Sequence, residues 1–518
     1  MEVKRSVGPI GLLFLAVGSI VGSGWLFGPF FAAQIAGPSA ILAWVIGGIL
    51  MVFVALTFAE LAAMFPVTGG SIQYLQVSHG TLVSYTFAWI GWISSVAVAP
   101  IETLALLQYA THYLPWLTFQ QGGVTLLTGQ GTIVAAGIMG VICWINVVGV
   151  NLLSKSNILL GSFKLFVPIL TVILLLTMNY HPQNFTSHKF FAGGFHGLLA
   201  SLPSAGIIFS FIGYSSAVQM GGEAKRPQFA IPFAILGALF ICILLYTGLQ
   251  IAFIGAIPES SIANGWGQLN FAGDAGPFAG LMTLFGMVWC VQLLYIDAAI
   301  SPFGTALIYT GSTARMAYAM GKNGYMPSIL RHLNKAGAPA RLVWVNFFLG
   351  LLLFLPFPTW QTMMSFLVSA MVFAYSVGPL ALVVLRKSAP EQARPFRLPQ
   401  AKLLSFIAFY ICNLVLLWVG WATMYKMIIM IVMGYVLLWA YRKYGHGERF
   451  AMEWHNSGWL FMYLFLLGAV SYCASFGDGR NWITFGWDFA AVFVESLLIF
   501  IWAYFSGCKT PAQLKVVA

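Results

Sequence analysis

Fourteen apolar segments can be distinguished along the chain. Short stretches separate most of them, but Leu403 to Tyr441 is nearly continuous, and only Lys426 and its neighbours indicate a hairpin there. A helix that crosses a membrane needs roughly 20 consecutive apolar residues, and the segments are close to that length or longer. The pattern therefore predicts about 14 membrane-spanning helices. Their predicted ranges are 8–35, 40–64, 83–113, 132–150, 155–178, 197–222, 231–256, 279–313, 341–357, 361–386, 403–422, 424–441, 458–475 and 486–505.

The first apolar segment contains a run that disfavours a continuous helix. Residues 18–28 read Gly-Ser-Ile-Val-Gly-Ser-Gly-Trp-Leu-Phe-Gly. Lipid offers no hydrogen bonds to freed backbone groups, so a break at membrane depth survives only against protein or a water-filled cavity. Broken spans of transporters use these bare N–H and C=O groups to hold ions and charged substrates. The run is therefore the first candidate binding site, with Gly22 at its centre.

The sixth segment contains a second candidate break. It reads Phe-Ser-Phe-Ile-Gly-Tyr-Ser-Ser over residues 209–216, with Gly213 near its centre, as Gly22 is in the first segment. Glycine alone also permits close helix packing. Two Gly/Ser breaks at corresponding positions of two five-helix halves instead favour an inverted-repeat transporter.

Helix ends assign a role to each group at the breaks. A free helix N-terminus carries about half a positive charge and unpaired N–H groups, and Ser23, Gly24 and Trp25 are expected to supply them to a carboxylate. The opposite half-helices end in carbonyls that suit an ammonium group, predicted at Ile20, Val21, Phe209 and Ser210. A site that binds a carboxylate and an ammonium side by side describes an α-amino acid.

Composition and charge agree with a membrane protein. Of the 518 residues 60% are hydrophobic and only 7% are charged, whereas about a quarter of the residues in soluble domains are charged. With a cytoplasmic N-terminus, the inner loops and tails hold 20 of the 24 Lys and Arg residues. This excess predicts cytoplasmic N- and C-termini. The net charge of +11 then reflects topology, and no interleaved basic and aromatic residues favour nucleic acid.

Several motifs resemble those of the amino acid–polyamine–organocation (APC) transporters. One is the run Gly-Ser-Ile-Val-Gly-Ser-Gly-Trp of span one, and another is Glu60-Leu-Ala-Ala-Met-Phe-Pro-Val-Thr-Gly-Gly-Ser-Ile-Gln-Tyr74. Further matches are Gly222-Glu-Ala-Lys-Arg-Pro227, Ser301-Pro-Phe-Gly-Thr305 and Ala314-Arg-Met-Ala-Tyr-Ala-Met-Gly-Lys-Asn-Gly-Tyr-Met-Pro327. The broader sequence is most similar to the bacterial aspartate–proton symporter branch, with its Ser-Gly-Trp-Leu-Phe opening and an acidic residue in span three.

The resemblance implies an all-α polytopic membrane protein with a LeuT-type 5+5 inverted-repeat core. Residues 1–386 would form this core, with repeat one at 8–178, repeat two at 197–386, and discontinuous spans one and six. Residues 387–518 would be accessory and add four C-terminal spans. The implied location is the plasma (cytoplasmic) membrane.

Three ionisable residues within the spans need a reason, because a charge near the bilayer centre costs several kcal/mol. In proton-coupled APC transporters a span-five lysine stands where sodium binds in sodium-coupled relatives, and Lys164 matches that position. The resemblance implies a proton-coupling role, and a structural lysine that donates to span-one or span-eight carbonyls is the alternative. Glu102 and Asp297 are candidate proton carriers, partners for Lys164, or neutral hydrogen-bonded acids. Glu60 and Glu223 lie near span ends, where salt bridges to loop arginines are expected.

Aromatic residues flank both breaks. Trp25, Phe209 and Tyr214 are candidates to gate or shape the pocket. Because 16% of the chain is aromatic, packing or lipid contact is the alternative for each of them, and it applies to Phe209 and Tyr214 more than to Trp25.

The leading hypothesis is a proton-coupled amino acid symporter that works by alternating access, with an acidic amino acid such as aspartate as a candidate substrate. An amino acid or polyamine exchanger, or a non-transporting amino acid sensor, would have the same architecture. No phosphate-binding loop of the Gly-x-x-x-x-Gly-Lys-Ser/Thr type is present, and no clustered nucleophile and base favours an enzyme. The expected partners are an amino acid, protons and the bilayer, without a cofactor or metal, and the oligomeric state stays open.

Overall fold

The structure is a computed structural model that describes residues 7–66, 70–121, 124–148, 150–178, 180–269, 276–335, 337–444 and 453–507. Residues 67–69 of the motif that closes span two lie outside these ranges. The basic residues Lys4, Arg5, Arg449, Lys509 and Lys515 also lie outside them. Lys155 lies within a described helix, but its side chain is outside the description.

Helices make up most of the described chain. The first ten are α1 (Pro9–Ile20), α2 (Gly24–Ala36), α3 (Ala40–Met64), α4 (Gly70–His79), α5 (Thr81–Val96), α6 (Val98–Ala110), α7 (Gly129–Val148), α8 (Val150–Met178), α9 (Gly194–Ser204) and α10 (Ser215–Gln219). Between α6 and α7, β1 (Thr118–Gln121) pairs antiparallel with β2 (Val124–Leu127), with Thr118 opposite Leu127. This short hairpin is a departure from the expected all-α chain.

The second part of the chain continues the same pattern. Its helices are α11 (Pro227–Ala256), α12 (Glu259–Ile262), α13 (Pro277–Leu284), α14 (Val288–Lys322), α15 (Ala340–Leu353), α16 (Trp360–Tyr375), α17 (Val377–Ser388), α18 (Ala401–Val419), α19 (Trp421–Tyr444), α20 (Trp454–Cys473) and α21 (Trp487–Ser506). Prolines at the first turns of α1, α11 and α13 help to set where these helices begin, because proline suits a position whose N–H has no helical partner.

Among the described residues, 11 helices are long and apolar enough to cross a membrane. The number rises to 12 if the bent pair Gly194–Ser204 and Phe209–Gln219 is one span. The helices Pro9–Ile20 and Ala340–Leu353 are apolar but shorter. The chain is thus a nearly all-helical, multi-pass membrane protein. The count of about 14 spans and the 5+5 arrangement stay predictions.

The helices pack into one body with a buried centre. Helix α11 packs along α3 and α1, and α14 packs along α6, α5 and α1. The C-terminal helices join the same body, since α18 contacts α3, α16 and α17 while α19 contacts α5 and α16. In the most apolar stretch of Thr81–Ala110, 89% of the residues are buried, against 28% in Trp421–Tyr444. The α5–α6 pair is therefore central and α19 is peripheral.

One buried ion cluster joins the end of α3 to the end of α17. Arg386 donates to Glu60 Oε1 at 2.9 Å and to Glu60 Oε2 at 2.6 Å, and the Leu398 N–H donates to Glu60 Oε2 at 2.6 Å. Arg394 of the following loop lies 3.6 Å from Glu60 Oε1. The Glu60 side chain is fully buried. This confirms the expected salt bridges of Glu60 to arginines.

A second ion pair joins Arg315 Nε to Glu223 Oε1 at 3.3 Å and is more exposed to solvent. Its side chains are 25% and 15% exposed, respectively. It too was expected from the sequence, although Arg315 lies on helix α14 and not in a loop.

Because Glu60 is more deeply buried than Glu223, the two ion pairs should contribute differently to the free energy of unfolding. Glu60→Gln leaves two arginines near a neutral group, and breaking a buried pair lowers the free energy of unfolding by about 3 kcal/mol. The matched control Glu223→Gln should lower it by about 1 kcal/mol or less. Denaturant or thermal unfolding of the purified protein in detergent measures both, and equal losses would contradict the difference in burial.

Candidate functional site

The first predicted break is present in the structure. Helix α1 ends at Ile20 and α2 begins at Gly24, and the backbone of Val21 is extended (φ −81°, ψ 90°). All residues from Leu15 to Pro29 are buried. Freed backbone groups in such a setting need polar partners, because an unpaired buried N–H or C=O is costly.

A carboxyl group lies at the start of α2. The Ser23 N–H donates to Glu102 Oε2 at 2.8 Å. Glu102 comes from the central helix α6 and is 1% exposed. The N-terminus of a helix favours a negative charge, so Glu102 occupies the kind of anion position that the sequence assigns to a substrate carboxylate.

An ammonium group lies at the end of α1. Lys164 Nζ donates to the Gly18 carbonyl at 2.7 Å and to Thr305 Oγ1 at 2.8 Å. Lys164 is 1% exposed and comes from α8, while Thr305 comes from α14. The carbonyl end of a helix favours a cation, so Lys164 takes the position expected of a substrate ammonium one turn before the break.

The carbonyls that the sequence assigned to the ammonium have hydroxyl partners instead. Tyr246 OH donates to the Ile20 carbonyl at 3.2 Å. Thr305 Oγ1 lies 3.1 Å from the carbonyls of Val21 and Gly18. The expectation of free carbonyls at Ile20 and Val21 is therefore wrong for this conformation, because neighbouring helices supply donors.

The second break lies earlier than predicted. Helix α9 ends at Ser204, and a 3-10 helix, Phe209–Tyr214, leads into α10. The two parts bend by 42°, and Gly206 adopts φ +86° within the connection, a conformation that glycine reaches without strain. The centre of the break is therefore near Gly206, and Gly213 lies within the 3-10 helix.

The roles predicted for Phe209 and Ser210 change with this shift. They begin the second half of the span and do not end the first half. Ser210 donates through both N and Oγ to the Gly206 carbonyl. Ser210 thus belongs to the start of the second half of the span, and the predicted free carbonyl end of the first half does not lie there.

The two breaks meet at glycines. A Cβ on Gly213 would lie 2.5 Å from Ile20 N and from Ser19 C. A Cβ on Gly24 would overlap Ser210 Oγ, and one on Gly22 would overlap Glu102 Oε1. At Gly213 the obstacle is backbone of α1, so a side chain there would move the backbone, whereas at Gly24 and Gly22 a side chain would have to displace the Ser210 or the Glu102 side chain.

The sequence reasoning missed Trp360, the first residue of α16. Its Nε1 donates to Ser23 Oγ at 3.0 Å, and its ring packs against Phe27 and, edge on, against Phe209. A Cβ on Gly206 would lie 2.9 Å from this ring. Trp360 therefore contacts both breaks. A tryptophan after Pro358 and Thr359, at the start of a long apolar segment, gave no distinguishing signal.

Asp297 lies beside the start of α2. Ser301 Oγ donates to its Oδ1 at 2.8 Å, and the Trp25 side chain faces the carboxyl. Neither Asp297 Oδ2 nor Trp25 Nε1 has a hydrogen-bond partner among the described residues. Both Asp297 and Glu102 lie within electrostatic range of Lys164. The structure thus groups the three ionisable candidates around the first break.

Tyr214 lies on the other side of the second break. Its ring packs against Phe58 and Tyr375, at 6.3 and 5.2 Å between ring centroids. Tyr375 OH donates to the Ile212 carbonyl at 2.6 Å and fixes the 3-10 helix. Tyr214 therefore packs against α3 and α16, and no hydrogen bond joins it to Glu102 or Lys164 among the described residues.

Comparisons with known proteins identify relatives over nearly the whole chain. Residues 7–438 match the family model described as amino acid permease. The chain is 37% identical to a glutamate/serine transporter of Bacillus subtilis (strain 168) over 516 residues, which cover 98% of this chain and 95% of the relative. It is 30% identical to an aspartate-proton symporter of the same organism over 512 residues, 98% of each chain. A branched-chain amino acid permease of that organism is 23% identical over 85% of this chain and 94% of its own length.

The contact between Gly24 and Ser210 yields a test of the site. Gly24→Ala forces the two breaks apart, and overpacking of this kind costs about 1–3 kcal/mol. We expect amino-acid binding to weaken at least about tenfold, which corresponds to the lower part of that range. Ligand-induced thermal stabilisation of the purified protein measures it.

A double variant and a control sharpen the result. Gly24→Ala with Ser210→Gly should recover binding, since the nearest remaining atom, Phe209 Cδ1, lies at 3.4 Å from the new Cβ. Gly137→Ala adds a Cβ with nothing within 4 Å and should change nothing. Normal binding by Gly24→Ala alone contradicts the assignment.

Proposed function

The chain belongs to the amino acid permease family, and on this premise we propose that it is a secondary active transporter that carries an amino acid together with protons. It works by alternating access, with repeat one (8–178) and repeat two (197–386) rocking around the two breaks. Residues 387–518 support this core. The N- and C-termini lie in the cytoplasm of a cell whose plasma membrane holds the protein.

One observation carries the proposal. The interrupted first helix already binds a carboxyl group at Ser23 N and an ammonium group at Gly18 O, both from other helices. The α-carboxylate and α-ammonium of an amino acid are the same two groups on one small molecule. The backbone of the break is therefore chemically suited to an amino acid.

Competition for Ser23 N–H provides the coupling. The substrate carboxylate and Glu102 need the same donor, and a carboxylate beside a second carboxylate is unfavourable. A proton on Glu102 removes its charge and releases Ser23 N–H to the substrate. Binding of substrate and binding of a proton thus favour each other, as symport requires.

Lys164 is the second coupling group. It holds the end of α1 through Gly18 and Thr305, so loss of its proton weakens the contact that fixes α1 against α8 and α14. Asp297 lies within electrostatic range of Lys164. Its carboxylate can stabilise the protonated lysine or accept the proton that the lysine releases. We therefore assign proton coupling to Lys164, Glu102 and Asp297 together.

An acidic amino acid such as aspartate is the proposed substrate. The relatives named as glutamate/serine transporter and aspartate-proton symporter support this class. An anionic side chain requires that the two nearby carboxyls be neutral, and this requirement ties acidic substrates to protons. Lys164 supplies the one cation near the break in the part of the chain that the structure describes.

Uptake into proteoliposomes tests the function. Labelled aspartate, glutamate and serine are offered with and without an inward proton gradient, and an acid-inside counter-gradient serves as control. We expect the gradient alone to drive accumulation of at least one of them. Uptake only when the lumen holds amino acid indicates an exchanger, and thermal stabilisation without any uptake indicates a sensor.

Lys164→Ala should remove the response of uptake to the proton gradient, because no ammonium then links α1 to α14. Exchange of labelled for unlabelled substrate at equal pH should remain measurable. Lys426→Ala is the matched control, since that ammonium lies over the Phe357 ring, 5.5 Å from its centroid. Unchanged pH dependence in Lys164→Ala would leave only the structural alternative.

A further inference from the structure

A small cavity lies directly beyond the second break. Its volume is about 30 Å³, and α3, α4, α5, α10, α14, α16 and α17 contribute to its wall. The wall is mostly apolar, with side chains such as Phe58, Leu75 and Met371, and its polar part is formed by Ser215, Gln219 and Tyr375. A water molecule needs a cavity of roughly 10–15 Å³, so there is room for two waters and none for an amino acid.

Several buried polar groups between Glu102 and this cavity lack protein partners. They are Glu102 Oε1, Tyr309 OH, Ser215 Oγ and Gln219 Oε1, none of which has a hydrogen-bond partner among the described residues. The four side chains belong to residues that are 1%, 2%, 6% and 3% exposed, in that order. Buried polar groups without a partner are rare and usually bind ordered water.

These groups follow one another in space. Tyr309 of α14 lies within electrostatic range of Glu102 and within reach of the Ser215 hydroxyl. Ser215 also faces Tyr375, and Gln219 lies one helical turn farther along α10. The chain continues from Gln219 to Ala224, which pairs with Val7 at the start of α1. The sequence of groups therefore leads from the first break to the side of the molecule where α1 begins.

Other charged and titratable groups face Glu102 from different directions. Lys164 faces it from α8, and Tyr246 faces it from α11. Tyr246 OH is engaged with the Ile20 carbonyl and Lys164 with Gly18 and Thr305. Both groups are thus engaged at the first break, whereas Tyr309 lies beside Ser215, which lines the cavity, so Tyr309 links Glu102 to the cavity wall.

We propose that Tyr309, Ser215 and Gln219 hold ordered water in a proton path that connects Glu102 to the side of the protein where α10 ends. The inference rests on the proposed proton-coupled transport and adds the route by which the proton leaves. The Glu102 carboxyl gives up its proton, Tyr309 OH and the Ser215 hydroxyl each accept one proton and donate another, and water receives it. Gln219 orients the water without a change of charge. The substrate takes a different route, because the cavity is too small for it.

A comparison of two modes of transport distinguishes a proton path from a purely structural role of these residues. Net uptake driven by a proton gradient requires Glu102 to lose its proton in each cycle, whereas exchange of labelled for unlabelled substrate at equal pH does not. The probe is whichever of labelled aspartate, glutamate and serine the wild-type protein takes up. Tyr309→Phe and Ser215→Ala remove one hydroxyl each, and we expect gradient-driven uptake to fall about tenfold, in line with one lost hydrogen bond. Exchange should stay within about twofold of wild type.

Two further variants complete the experiment. Ser215→Thr keeps the hydroxyl beside the cavity and should restore gradient-driven uptake. Ser369→Ala removes a buried hydroxyl that bonds only its own helix, at the Phe366 carbonyl, and should affect neither mode.

The possible outcomes distinguish a failure of the proposed proton path from a failure of the proposed proton-coupled transport. Equal losses of uptake and exchange in Tyr309→Phe and Ser215→Ala, or no loss in either, overturn the path and leave proton coupling standing. Wild-type protein that shows exchange but no gradient-driven uptake overturns proton coupling, and the path with it.

Discussion

The constraint on which the structure depends is the need to satisfy backbone groups that an interrupted helix exposes inside an apolar interior. From Gly18 to Ser23 several peptide groups lack the partners that an uninterrupted helix would supply, and all of these residues are buried. Four side chains from four other helices take their place: Glu102 at Ser23 N–H, Lys164 at Gly18, Tyr246 at Ile20 and Thr305 at Val21. The break is thus a polar centre around which α6, α8, α11 and α14 must be arranged.

Those helices must hold their positions for the polar centre to persist. Helix α19 packs on the outer side of the α5–α6 pair, and two hydrogen bonds join it to α5. Tyr85 OH donates to the Gly434 carbonyl at 2.6 Å, and Trp89 Nε1 donates to the Met430 carbonyl at 2.9 Å. The C-terminal helix α19 therefore stabilises α5, which leads directly into the helix that presents the carboxyl.

Opposite charges around the break also explain how it could exchange one partner for another. A carboxyl and an ammonium from within the chain satisfy the same groups that an amino acid would satisfy. Neither internal group is covalently fixed to the break, and each is a titratable side chain. In the proposed cycle an amino acid would take the place of these internal contacts, so that no buried backbone group stays unpaired.

The sequence by itself determined the membrane class, the family resemblance and the interruption at Gly22, because apolar length and a local Gly/Ser run are properties of neighbouring residues. It also singled out Lys164, Glu102 and Asp297, since ionisable residues in apolar segments are conspicuous. Only the tertiary structure decided that Ile20 and Val21 have hydroxyl partners, that the second break centres near Gly206, and that Trp360 contacts both breaks. Each of these depends on side chains from helices distant in sequence, such as Tyr246 and Thr305 for the first break. A buried peptide group is satisfied by whatever donor the packing brings near, and local sequence does not encode that donor.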